Sequence, residues 1–102
     1  MANVRTIGNS FSAIDEATTT HGAVSVGAAS TSVAVANPDR IALFLQNDHA
    51  TQVVYLSLGG TAVANQGIRL NAAGGGVVIS SYTGAVNAIA TGAATGVLVA
   101  EV

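Results

Sequence analysis

The chain has 102 residues, half of them hydrophobic, with three arginines, no lysine, five acids and a formal net charge of −2. One domain with a modest core fits that length, whereas a counterion-releasing basic stripe, a disulfide framework and a lysine-bearing P-loop are excluded by the composition. Charged residues make up 8% of the chain against roughly a quarter in an ordinary soluble domain, so its surface is expected to be covered by further copies of the chain or by a partner.

Residues 1–21 are expected to form an N-terminal arm or linker and residues 22–102 a single β domain. Within the arm, Arg5 stands among polar residues with no continuous apolar run, so no secretory signal is expected. Asp15 and Glu16 offer too few oxygens for a calcium site. Beyond Gly22, short β-rich runs separated by Gly, Asn, Asp and Pro recur at close spacing, the pattern of an antiparallel sandwich.

Strands are expected over 23–26 and 31–36, where Val24/Val26 and Val33/Val35 alternate with small residues. Asn37-Pro38-Asp39-Arg40 reads as a turn, because proline fixes φ and lacks a donor while Asn and Asp bond nearby backbone. The next run, 41–46, places Ile41, Leu43 and Leu45 on one face and Ala42, Phe44 and Gln46 on the other, which implies a central position. Residues 47–51 read as a hairpin connection into 52–58, so these two strands are expected to pair. A loop through Asn65-Gln66-Gly67 leads to a short strand at 68–70, and further strands are expected at 77–80, 85–90 and 97–102. The sum is an all-β domain of about eight short antiparallel strands, a small β-sandwich or jelly-roll-like fold. The uncharged stretch 70–100 is interrupted by Asn71, Gly74-Gly75-Gly76, Ser80-Ser81 and Asn87, so it is read as strands and turns and no membrane association is expected. The late strands carry only Glu101 as a charge, and their edges are expected to be paired within the fold or buried between subunits.

No constellation declares a chemistry. His49 beside Asp48 reads as turn chemistry, since a catalytic triad requires partners brought together in space and a positioned nucleophile. A hydrolase using His49 is the weakest of the readings. Two histidines without cysteine are too few favoured ligands for structural zinc, and neither a metal nor any other cofactor is expected. Only two Phe and two Tyr serve the core, with no Trp, so oligomerisation is the expected substitute for a larger core. The interface candidates are Arg5, Arg40, Tyr55, Arg69 and Tyr82. Arg40 is expected to tie down its own turn and Arg69 to lie near an interface, with Asp39, Asp48 and Glu101 as possible acceptors. Tyr55 and Tyr82 are expected to pack in the core or an interface; a sugar-stacking platform is the alternative.

The succession Asn37-Pro38-Asp39-Arg40, Leu43-Phe44-Leu45-Gln46-Asn47, Val54-Tyr55-Leu56-Ser57-Leu58-Gly59-Gly60, Gly67-Ile68-Arg69-Leu70 and Tyr82-Thr83-Gly84-Ala85-Val86-Asn87-Ala88-Ile89 resembles small virion structural proteins of tailed bacteriophages. The resemblance covers residues 33–102 and brings no catalytic motif. It implies a β-sandwich that sits outside the head as a decoration or cement protein, or belongs to a fibre or tail appendage. A decoration protein of this kind commonly binds as a trimer where capsid subunits meet, and residues 1–20 would then reach a neighbour. The first expectation is therefore a non-enzymatic, homotrimeric capsid decoration protein on the outer surface of the virion, partnered by itself and by a capsid or other virion protein, without nucleic acid. The alternative is a fibre or tail module that contacts a bacterial surface glycan through Tyr55 or Tyr82.

Overall fold

The computed structural model describes residues 20–102; residues 1–19 of the expected arm, Arg5 included, lie outside them, while Thr20 and His21, also expected in the arm, belong to the first strand and pair with Glu101 and Ala100. Eight strands form two antiparallel sheets: β1 (Thr20–Val26), β2 (Thr31–Ala34), β3 (Ala42–Asn47), β4 (Val54–Leu58), β5 (Ile68–Leu70), β6 (Gly76–Ser80), β7 (Val86–Ala90) and β8 (Thr95–Glu101). Sheet A has the order β1-β8-β3-β6 and sheet B the order β2-β7-β4-β5. The first strand pairs with the last, the second with the seventh, the third with the sixth and the fourth with the fifth. One long hairpin rolled into two layers has this pattern, and it is the jelly roll among the all-β architectures.

Alternation builds the core. Val24, Val26, Leu43, Leu45, Val77, Ile79, Val97 and Val99 point inward from sheet A and meet Val33, Val54, Leu56, Leu70, Val86, Ala88 and Ala90 from sheet B. These side chains are aliphatic and small. Phe44 faces away from the core, with 41% of its surface exposed, so no phenylalanine among the described residues stabilises the interior.

Ile41, expected on the face of Leu43 and Leu45, precedes β3 and is exposed, and two further sequence expectations are corrected. β3 and β4 do not pair; they belong to opposite sheets, and the chain between them crosses the sandwich. β3 already has β8 and β6 on its two sides, which leaves no edge for β4. Asn47 fixes the crossing: its buried side chain donates to the Gln52 carbonyl (2.7 Å) and the Leu70 carbonyl (3.2 Å) and accepts from the His49 N–H (3.0 Å), tying sheet A to sheet B. The second correction concerns Val35, which does not continue the face of Val33. A register shift between Ser32 and Ala34 breaks the alternation, β2 ends at Ala34, and Val35 stands exposed.

Of the late strands, β7 and β8 are paired on both sides within the fold, whereas β6 lies at an edge. β8 lies between β1 and β3, and β7 between β2 and β4. Their uncharged backbones are therefore satisfied on both sides. Among the described residues, the edge strands are β1 and β6 in sheet A and β2 and β5 in sheet B.

Candidate functional site

Arg40 lies inside the chain. It follows the Asn37–Asp39 turn, in which the Asn37 side chain accepts the Asp39 N–H (3.0 Å) and the Asn37 carbonyl accepts the Arg40 N–H (3.1 Å). Only 5% of Arg40 is exposed. Its Nε donates to Glu101 Oε2 (2.6 Å), Nη1 to the carbonyls of Tyr82 (3.2 Å) and Gly84 (2.8 Å), and Nη2 to the Val35 carbonyl. The guanidinium thus ties four separate points of the chain, well beyond its own turn, and the buried charge is matched by a carboxylate and by oriented carbonyl dipoles. Tyr82 belongs to the same end: its hydroxyl donates to the Ala85 carbonyl (2.8 Å) and its ring packs against the core.

Tyr55 and Arg69 lie directly opposite each other on β4 and β5 and face outward from sheet B. The Arg69 guanidinium stands 6.0 Å from the Tyr55 ring centroid, at the outer limit of a cation–π contact. Arg69 Nε also donates to Asn71 Oδ1 (2.8 Å) and has no acidic partner among the described residues. Tyr55, although on an outer face, is only 7% exposed. The connection between β4 and β5 folds back over it. Asn65 Oδ1 accepts the Tyr55 hydroxyl (2.9 Å), the Asn87 side chain donates to the Gly60 carbonyl (2.6 Å), and the Ala62 N–H donates to Ser30 Oγ (2.9 Å). The ring face that a sugar would need is covered by the chain's own loop.

His49 is consumed by its turn. Its Nδ1 accepts the backbone N–H groups of Thr51 and Gln52, each at 3.0 Å, which assigns the ring proton to Nε2. The Thr51 hydroxyl is 3.5 Å from the same nitrogen, which is already saturated by the two amides. This arrangement caps a turn and has no free lone pair for proton abstraction at Nδ1. Among the described residues no three His, Asp or Glu side chains converge on a point where a metal ion would sit.

The outer face of sheet A has a different character. The inward residues alternate with His21, Ala23 and Ser25 on β1, Gly96, Leu98 and Ala100 on β8, Ala42, Phe44 and Gln46 on β3, and Gly76, Val78 and Ser80 on β6. None is an acid, a lysine or an arginine. Cross-strand register aligns Ala100, Phe44 and Val78 in one row and places Leu98 beside Gln46 in the next. Val78 is 57% exposed and Leu98 37%, and the side chains surround a shallow depression of about 420 Å³ lined also by Gly76 and Ala100. Whereas sheet B has its outer face roofed by the β4–β5 loop, no described residue covers the apolar side chains of sheet A. A contiguous surface of this kind is what monomeric soluble proteins avoid and what assembly interfaces use.

Sequence reading identified Phe44 as facing away from Leu43 and Leu45 but assigned it no interface role. Its exposure depends on which sheet is roofed, and the alternation along β3 carries no information about that. The interface candidates with legible signals were the rare charged and aromatic residues, and the structure draws three of them, Arg40, Tyr55 and Tyr82, into intrachain contacts. Comparison with family models, curated proteins and solved structures finds no match to this chain.

Proposed function

We propose that this chain is a non-enzymatic structural module of a virion, a homotrimeric decoration protein that reinforces the outer surface of a phage head. The observation that carries the reading is the charge-free apolar outer face of sheet A, which a chain with so little charge elsewhere must cover to remain dispersed. The phage assignment rests on the sequence resemblance over residues 33–102. The buried Arg40–Glu101 pair and the roofed Tyr55 support a rigid body whose polar groups are spent on holding it together.

Arg69 lies on the outside of sheet B, on the opposite side of the sandwich from the apolar face. It can therefore meet a capsid protein while sheet A meets other copies. Several such contacts on one oligomer raise the effective concentration of each and hold the shell without a single strong contact. The fibre reading, with Tyr55 or Tyr82 on a glycan, has less support, because both hydroxyls are engaged within the chain.

The test is immunogold labelling of particles from the strain that encodes the chain, together with binding of the purified protein to isolated heads and to isolated tails. Labelled heads and saturable head binding, weakened by Arg69→Glu without a change in oligomer mass, are the expected results. Tail labelling combined with retention on a glycan array would overturn the decoration role in favour of the fibre role.

A further inference from the structure

Three connections meet at one end of the sandwich, and residues 47–52 hold them together. The Asp48 N–H donates to the Gly96 carbonyl on β8 (2.9 Å), and the His49 carbonyl accepts the Ala73 N–H from the β5–β6 connection (2.7 Å). Gln52 Oε1 accepts the Thr91 hydroxyl from the β7–β8 connection (2.5 Å). Each of these two connections keeps an alanine in the left-handed region, Ala73 at φ 59° and Ala94 at φ 55°. A non-glycine residue stays there only where its surroundings impose the conformation. The 47–52 segment is itself closed by the ring of His49, which stands in for a backbone acceptor.

We propose that His49 is an acid-sensitive latch for this end of the molecule: neutral, it holds the turn shut through Nδ1, and a proton on Nδ1 opens it. The argument is one of donors and acceptors. Nδ1 accepts the N–H groups of Thr51 and Gln52, each at 3.0 Å, and a neutral imidazole has one nitrogen able to accept. Both nitrogens of an imidazolium are donors. A proton on Nδ1 would therefore face two N–H groups, and neither bond survives it. Closure and protonation at Nδ1 exclude one another. The open turn binds a proton that the closed turn excludes, so by linkage the closed form loses ground as the pH falls. Imidazoles in water titrate near about pH 6.5, which sets the change between about pH 8 and pH 5.

Among the described residues, the surroundings leave His49 as the group that titrates in this range. Residues 71–75 and 91–94, which bond to the turn, contain no ionisable side chain, and β3 contains none either. On β5 the one charge is Arg69, held by Asn71; on β8 it is Glu101, paired with Arg40; on β4 the ionisable group is Tyr55, bonded to Asn65. Asp48, in the turn itself, is exposed and forms no ion pair with His49, and carboxylates ordinarily titrate near about pH 4. The turn is coupled to the interior through Asn47, whose buried side chain accepts the His49 N–H and donates to the Gln52 carbonyl. Opening therefore loosens the crossing between the sheets, while the ladders on both sides of β7 and β8 stay closed.

The experiment is NMR of the isotopically labelled full chain between about pH 8 and pH 5, with ring spectra of His49 and amide exchange read in the same samples. At the alkaline end the ring proton is expected on Nε2. Exchange at Thr51, Gln52 and Ala73, divided by the intrinsic rate at each pH, is expected to show the turn open about thirtyfold more often at the acid end, the ratio for an imidazole titrating near about 6.5. Protection along β8 should persist. His49→Asn supplies a side-chain oxygen that can accept the same N–H groups without titrating, so it is expected to keep the turn closed and abolish the change. His21→Asn, at the other histidine, is expected to leave the change intact. A ring proton on Nδ1 at the alkaline end would overturn the latch, as would a change in opening below about threefold. Survival of the change in His49→Asn, or loss of β8 protection over the same range, would also contradict it. Should His49→Asn fail to fold, the ring spectra and exchange of the unmodified chain still decide the matter.

Discussion

At the scale of single residues, the two arginines among the described residues differ: one holds the fold and the other stands on an exposed strand without an acidic partner there. Arg40 ties Val35, Tyr82, Gly84 and Glu101 together from a buried position. Arg40→Ala is expected to cost about 3 kcal/mol, because it strands three carbonyls and the carboxylate of Glu101. Arg69→Ala, on an exposed strand, is expected to change stability by less than about 0.5 kcal/mol. Urea titrations of both variants at equal protein concentration provide the check, and equal losses would refute the division. That Arg40 would find a definite partner was legible in the scarcity of charge, with Glu101 among the possible acceptors. The reach of its bonds was not legible, because residues 35, 82 and 101 meet only through the rolled topology. His49 was legible as a turn residue, and its acceptance of two backbone N–H groups is the mechanism.

At the scale of elements, the β-rich runs located all eight strands, with ends that differ from the expected ones by at most three residues and not at all for β5. Pairing was less legible. Residues 47–51 have the composition of a hairpin, and nothing local to them reveals that Asn47 is buried and bonded across the sandwich. The bulge in β2 was equally silent, since Val33 and Val35 look alike until the ladder is seen. The β4–β5 connection depends on Gly67, whose φ is +84° and whose absent Cβ would lie 2.1 Å from the Leu56 carbonyl oxygen. Gly67→Ala is expected to destabilise the protein by more than about 1 kcal/mol and to unseat the loop from Tyr55. In a Tyr82→Phe background, acrylamide should then quench the remaining tyrosine fluorescence more strongly; unchanged quenching would show that the loop tolerates the side chain. Exchange should also be slow along β7 and β8, which have ladders on both sides. Fast exchange throughout β8 would contradict its internal position.

At the scale of the whole molecule, the low charge raised the expectation of a covered surface, and among the described residues the outer face of sheet A is the one that exposes Phe44, Val78 and Leu98 together, which is why the proposed assembly is placed there. Which sheet is bare could not be read from alternation, because both sheets alternate and only the long β4–β5 loop distinguishes them. A lone domain with an aliphatic core and this exposed face is a poor candidate for an isolated monomer. Phe44→Asp puts a charge at the middle of the face while leaving the core untouched, so it should retain the β circular-dichroism spectrum and lose the oligomer. The most direct measurement is the mass of the unmodified chain in solution, by light scattering after size exclusion. The account predicts three times the 10.0 kDa chain mass. A stable, well-folded species of 10.0 kDa at the same concentration would contradict it, because the bare face of sheet A would then be tolerated by water.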